Sequence, residues 1–202
     1  MKIVLASQNK KKIVELKAIL QELFEDVEVL SLAQVGFEGD IIEDGNSFSE
    51  NALIKARVAA SFGAIGVADD SGLCVEALGG APGIYSARYA GEHGDDEANL
   101  DLVLKNMENE EDRRAAFVCA IACVFPDGQE FVCEGRVDGE LLCARAGEGG
   151  FGYDPIFYYP PFGASFGEVP ADKKNGVSHR ARALEAFAAT LRKHFDDGKR
   201  II

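Results

Sequence analysis

Apolar positions along the chain fall into a few clear periods. Residues 2–6, KIVLA, are a continuous apolar run of the length expected for one buried strand. From Asn9 the period changes. Ile13, Leu16, Leu20, Leu23 and Phe24 recur at three- and four-residue steps and form the stripe of an amphipathic helix. VEVLSL (27–32) predicts a second strand, and EGDIIEDGNS (38–47) is polar enough to be loop. Ser47 followed by Glu50 is a capping box. The helix it opens, roughly residues 47–62, should bury Phe48, Ala52, Leu53, Ala56, Ala59 and Ala60. AIGVADDSG (64–72) predicts a strand that runs out into a polar turn.

The glycine- and proline-rich stretch ALGGAPGIYSARYAG follows, and then a helix from about Asp95 to Met107 with an acidic first turn. AAFVCAIACVF (115–125), the turn PDGQ and EFVCEGRV (130–137) predict an antiparallel hairpin. Beyond the loop AGEGGFGYDPIFYYPPFG, a last helix is expected from about Ser178 to Phe195, with Leu184, Phe187, Ala188, Leu191 and Phe195 as its stripe. There is no internal repeat and no low-complexity linker. The pattern predicts one α/β domain over residues 1–202, a mixed β-sheet flanked by helices, in two lobes around a central cleft.

Composition narrows the class. At 202 residues with 47% apolar and 27% charged side chains, the chain has enough apolar material for a core. A net charge of −13 argues against a nucleic-acid partner, which needs a basic face. No apolar run approaches the ~18 residues of a membrane span, and Gln8 to Lys12 interrupt any signal-peptide core. Five cysteines without a Cys-x-x-Cys pair fit reduced thiols and a cytoplasmic protein. Cys119 and Cys123 share one face of an apolar strand and read as core filler.

Charge placement carries the chemistry. A helix N-terminus favours Asp or Glu in its first turn. Two helices here reverse that: Asn9 is followed by Lys10, Lys11 and Lys12, and Ser178 by His179, Arg180 and Arg182, with Lys173 and Lys174 just before. The Asp95 helix has the ordinary arrangement, so the reversal is selective. A bound phosphate would reconcile basic side chains with free backbone N–H groups; a solvated lysine run is the plain alternative. GVADDSGL (66–73) sets Asp69, Asp70 and Ser71 after an apolar strand. Adjacent carboxylates there suit a magnesium ion that also takes phosphate oxygens, although Asp-Asp-Ser-Gly also reads as a simple turn. Glu43 and Asp44 are further candidate ligands. In GEGGFGYDP (147–155), Phe151 or Tyr153 could stack on a base while Asp154 reads its edge. Of the histidines, His194 suits a helix C-terminus, His93 lies in a polar loop, and His179 beside Arg180 is the functional candidate. There is no Walker motif, no Gly-x-Ser-x-Gly elbow and no Cys-His pairing, which leaves metal-assisted phosphate chemistry ahead of covalent catalysis.

ASQNKKKIVEL, EDGNSFSENALIKA, ADDSGL…LGGAPGIYSARYAG, GGFGYDPIF and KNGVSHRARAL together resemble, in order and spacing, the inosine triphosphate pyrophosphatase family, whose bacterial members are dITP/XTP pyrophosphatases. The resemblance spans about residues 3–192. It implies an elongated mixed sheet, a homodimer, and Mg²⁺-dependent hydrolysis of ITP, dITP and XTP to the monophosphate and pyrophosphate. By position it implies that Asp70 is the proton acceptor and a metal carboxylate, with Glu43 as the second acid at the metal. Ser7, Gln8, Asn9, Lys10, Lys11 and Lys12 correspond to the first substrate segment, and Ser71 to the residue after the catalytic acid. Phe151, Gly152, Tyr153, Asp154, Lys174, His179 and Arg180 correspond to the remaining substrate contacts. One position departs: many bacterial members carry glycine where this chain has Lys11. The rival readings are a Maf-type pyrophosphatase acting on pyrimidine triphosphates, which GGFGYDP and SHR fit poorly, and a nucleotide sensor, which has no need of strand-end acids.

Overall fold

The computed structural model describes residues 1–7, 10–24 and 26–196; for residues 10–12, 15, 19, 22, 23 and 196 only the backbone is described. Its strands are β1 (Lys2–Leu5), β2 (Glu28–Ser31), β3 (Ile65–Val75), β4 (Arg114–Val124), β5 (Glu130–Leu141), β6 (Phe157–Tyr159) and β7 (Ala164–Ser165). Its α-helices are α1 (Lys10–Leu23), α2 (Phe48–Ala60), α3 (Asp96–Asn106), α4 (Ala171–Asn175) and α5 (His179–Asp196). The seven strands make one mixed sheet in the order β2-β1-β3-β4-β5-β6-β7. β1 runs parallel to both β2 and β3, whereas β5–β6 and β6–β7 are antiparallel. The chain divides into two compact units, residues 1–70, 120–135 and 182–202 in the first and residues 71–119 and 136–181 in the second.

In the first unit, Ile3, Val4 and Leu5 of β1 are fully buried, as are Val67 and Ala68 of β3. A strand flanked by parallel neighbours needs apolar residues on both faces, which is why KIVLA reads as an unbroken run. The helix stripes largely match their period: Leu16 and Leu20 of α1, and Ala183, Leu184, Phe187 and Leu191 of α5, are buried. On α2 the buried set is Phe48, Asn51, Ala52, Ala56 and Ala59, so an asparagine occupies a place expected for Leu53 or Ala60. Ser47 caps α2 by accepting from the Glu50 amide at 3.1 Å, but the Glu50 carboxylate turns to the Asn46 amide at 2.6 Å rather than to the cap itself.

α2 lies very close to β3. A Cβ on Gly66 would come within 2.1 Å of the Ala56 carbonyl oxygen and 2.5 Å of the Ala60 nitrogen. Both are backbone atoms, so relief requires moving the helix. Gly66→Ala should therefore destabilise the protein by ~1–3 kcal/mol through overpacking, read as a lower thermal midpoint. An unchanged midpoint would show that α2 can shift freely.

In the second unit, Leu73, Val75, Leu100, Val103, Met107, Phe117, Val137, Ile156, Phe157 and Phe166 pack into one apolar cluster. Arg113 closes one end of it, donating to the carbonyl oxygens of Met107, Leu141 and Leu142. The aromatic run after Asp154 forms β6, β7 and two single-turn helices rather than plain loop, and buries Phe157 and Tyr159 in this cluster.

One expectation about β3 fails. The strand does not end before Asp69-Asp70-Ser71-Gly72; it continues through them to Val75. Apolar alternation resumes at Leu73 and Val75, both fully buried, and their amides find partners in Ser86 Oγ at 2.9 Å and the Ala81 carbonyl at 3.1 Å. Gly72 is what permits this, because a side chain there would meet Ser86 Oγ at 2.3 Å. The acids are mid-strand residues, not turn residues.

Candidate functional site

Because β3 stays extended, successive side chains alternate across the sheet. Asp69 is buried at 3% exposure, and Asp70 emerges on the opposite face, half-buried. There it meets α2. Asn51 and Lys55 stand one helical turn apart on α2 and therefore share a face. Asn51 Nδ2 donates to Asp70 Oδ2 at 3.2 Å, and Lys55 Nζ to Asp70 Oδ1 at 3.4 Å. Asn51 cannot turn its amide round at no cost, because its Oδ1 accepts from the Gly45 amide at 2.9 Å. The loop that Gly45 closes also carries Glu43, whose Oε2 accepts from Lys55 Nζ at 2.8 Å.

Glu43 and Asp70 thus converge on one cationic centre. Burial would lower the Lys55 ammonium, but Asp70, Glu43 and Asp69 outweigh it and hold the group above its ordinary lysine value. Lys55 is therefore charged at any working pH. Two carboxylates from different elements, directed at one cation, are a donor set suited to a hard divalent ion. Among the described residues no group of three or more His, Cys, Asp or Glu side chains could form a fuller shell. Such an ion would take its other ligands from water and phosphate, as magnesium does.

Of the first segment, Ser7 is half-buried just beyond β1, and Gln8 and Asn9 lie outside the described residues. Lys10, Lys11 and Lys12 open α1, whose first turn carries no acidic residue; their side chains also lie outside the described set. The basic helix start expected at that position is present.

The second unit brings the other candidates together. Asp154 and Lys174 form a buried ion pair, with Lys174 Nζ against Asp154 Oδ2 at side-chain exposures of 7% and 2%. The same oxygen accepts from the Phe151 amide at 2.8 Å. Burial holds the Asp154 carboxyl above the usual carboxylate range, against the opposing pull of Lys174, the Phe151 amide and Arg180. Gly150 leaves room for this turn, since a Cβ there would fall 2.2 Å from Asp154 Oδ2, and its φ of 79° is in the glycine region. Phe151 keeps 45% of its surface exposed, with the Lys174 ammonium 4.4 Å from its ring centroid. An exposed aromatic face backed by a cation is a platform for a flat ligand.

Tyr153 points the other way. It is buried, its hydroxyl donates to the Ser86 carbonyl at 2.8 Å, and burial pushes its phenol up. Gly152 is fixed through its amide, which donates to Asp96 Oδ2 at 3.1 Å. Ser71 is half-buried on β3. Ser178 caps α5 by accepting from the Ala181 amide at 3.1 Å, and α5 carries no acidic residue in its first turn. His179, buried at 6% exposure, lies flat on Phe117, and Arg180 is half-buried. The basic start of α5 has a local counter-charge in Asp154, which Arg180 helps to hold ionised. Lys173 serves elsewhere, 4.4 Å from the Phe162 centroid. The basic start of α5 therefore has an internal partner.

The Ham1 family model matches residues 3–190. The chain belongs to the Ham1 family. Its Corynebacterium efficiens relative, named dITP/XTP pyrophosphatase, is 48% identical over 95% of this chain and 97% of its own length. A Clostridium perfringens protein of the same name is 43% identical over 95% of this chain and 97% of its own length. Among solved structures, the Staphylococcus aureus Ham1 protein superposes with a TM-score of 0.89 at 41% identity, covering 96% of this chain and all of that one (100%). The nucleoside-triphosphatase / dITP/XTP pyrophosphatase of Mycobacterium abscessus gives a TM-score of 0.82 at 47% identity over 93% of this chain and 98% of its own. The mixed seven-stranded sheet is thus the Ham1 fold.

Asn51 and Lys55 were not among the residues that sequence reasoning marked. The available signal was their spacing: two polar residues one turn apart on a helix otherwise rich in alanine.

Proposed function

We propose that this Ham1-family protein hydrolyses deaminated purine nucleoside triphosphates, ITP, dITP and XTP, to the monophosphate and pyrophosphate. The observation that carries this reading is the convergence of Glu43 and Asp70 on Lys55 Nζ. Hydrolysis of a phosphoanhydride needs a placed nucleophile and compensation of charge on the departing pyrophosphate. Asp70 accepts from two neighbours through its two oxygens, so it is fixed in direction and suited to orient a water and take its proton. Lys55 and the lysines that open α1 supply positive charge for the phosphates. Mg²⁺ would be held by Glu43 and Asp70 and would neutralise charge on the phosphate oxygens.

The second unit carries groups that suit a purine base. Phe151 offers its exposed face for stacking, and His179 and Arg180 are donors for the 6-oxo group. An amino group at that position would present a donor to donors, and an unmatched buried polar group costs ~1–3 kcal/mol. His179→Ala should therefore narrow the ITP/ATP ratio of kcat/KM by ~5- to 100-fold. If both rates fall and the ratio holds, His179 is not the selector.

The bond broken is tested by hydrolysis in ¹⁸O-water. Attack at the α-phosphorus puts the label in the nucleoside monophosphate; label found only in pyrophosphate would contradict it. We further propose a homodimer, checked by sedimentation equilibrium, and a cytoplasmic location, which suits five free cysteines.

A further inference from the structure

Phe117 is buried on β4 at 7% exposure and belongs to no motif marked in the sequence. Its ring lies 4.9 Å from the imidazole of His179, with only 16° between the planes. It is itself held from other sides: the Phe157 ring is 4.6 Å away at 46°, and the Phe166 ring is 6.2 Å away and parallel to within 5°. The backbone beneath His179 is fixed as well, because Ser178 caps the helix that His179 begins. With the helix setting its Cα–Cβ direction, the imidazole keeps rotation about Cα–Cβ and about Cβ–Cγ. A flat neighbour held in place restricts the second, which sets the ring plane. Hydrogen bonds of an imidazole lie in the ring plane, and they weaken steeply as alignment is lost.

We propose that Phe117 is a positioning residue for base selection: it fixes the plane in which His179 presents its N–H to the substrate's 6-oxo group. This rests on the reading of His179 as a selector. Filling the core would require only an apolar side chain of similar size at position 117; positioning requires a flat one.

The test combines Phe117→Leu, Phe117→Tyr, His179→Ala and the Phe117→Leu/His179→Ala double variant. Phe117→Leu should lower the ITP/ATP ratio of kcat/KM by about 2- to 10-fold, and Phe117→Tyr should retain it. In the His179→Ala background, Phe117→Leu should leave the ratio where it is, since the two residues act through one contact. Independently of turnover, the ring protons of His179 should resonate upfield through the Phe117 ring current. Their signals are assigned by loss in His179→Ala, and the shift should vanish in Phe117→Leu and survive in Phe117→Tyr.

An unchanged ratio in Phe117→Leu, alongside a fall in His179→Ala, would overturn the role of Phe117 and leave that of His179 intact. An unchanged ratio in His179→Ala would remove the selector and the positioning role with it, while hydrolysis of ITP would still be judged on its own. If Phe117→Leu does not fold, the wild-type spectrum decides: His179 protons without an upfield shift would contradict the stack.

Discussion

Asp70→Asn is expected to lower kcat by ~10²–10⁴-fold with saturating Mg²⁺, the size of effect expected when a general base is lost. The substitution conserves volume but not the hydrogen-bond pattern. Both oxygens of Asp70 are acceptors, one for Asn51 Nδ2 and one for Lys55 Nζ. An amide in their place must turn its NH₂ toward one of these donors. Asn51 cannot relieve the conflict by flipping without giving up its bond to the Gly45 amide. The variant should therefore lose some thermal stability as well as activity. Steady-state kinetics separates the effects: kcat should fall far more than KM changes. Near-normal kcat would remove Asp70 from the chemical step and leave water activation to other groups.

Lys174→Met should destabilise the protein by ~3–5 kcal/mol near neutral pH, because it leaves the Asp154 carboxylate buried without its hydrogen-bonded cation and with only the weaker pull of Arg180. The pair is well removed from solvent, so little screening discounts the loss. The effect depends on pH with a definite sign. Burial places the folded-state pKa of Asp154 above its unfolded value. Between the two values the native protein holds more protons than the unfolded chain, so stability falls as pH rises through that window. The contribution is fully present below the ordinary carboxylate range and is lost as pH passes the folded pKa. Removing Lys174 takes away a charge that lowers that pKa, so the window extends upward. Denaturation followed at pH 4.5, 6 and 8 should show the gap between wild type and Lys174→Met smallest at the acid end and widest at pH 8. Adding Asp154→Asn to Lys174→Met should recover much of the loss, since the uncompensated charge is gone. A gap independent of pH would mean that the lysine matters for its packing on Phe151 rather than for its charge.

The elements readable from period were the ones whose packing repeats it. Leu16 and Leu20 of α1 and Phe187 and Leu191 of α5 are buried as their spacing implies. β3 departs from the sequence expectation because Asp69, Asp70, Ser71 and Gly72 are turn residues by local preference, and only contacts with the following stretch keep the strand extended. Those partners, Ser86 and Ala81, lie in the glycine- and proline-rich stretch just after the strand, whose return onto β3 the local residue pattern does not show. β6 and β7 were missed because strands of three and two residues carry no measurable period. Of the candidate residues, Asp70, Glu43, Phe151, Asp154, Lys174 and His179 are named by the sequence reading, whereas Asn51 and Lys55 beside Asp70 and Phe117 beside His179 are not. Lys55 and Phe117 act through geometry that α2 and β4 supply. A lysine on a helix and a phenylalanine in an apolar strand look ordinary until the fold places them.

We propose that this Ham1-family chain releases pyrophosphate from deaminated purine triphosphates with the help of a divalent cation. The most direct measurement is pyrophosphate release from ITP, XTP, dTTP and ATP, each with Mg²⁺ and with EDTA. Fast release from ITP and XTP, little from ATP or dTTP, and loss of all turnover in EDTA are expected. Preference for dTTP, equal rates in EDTA, or no release from any substrate would contradict it.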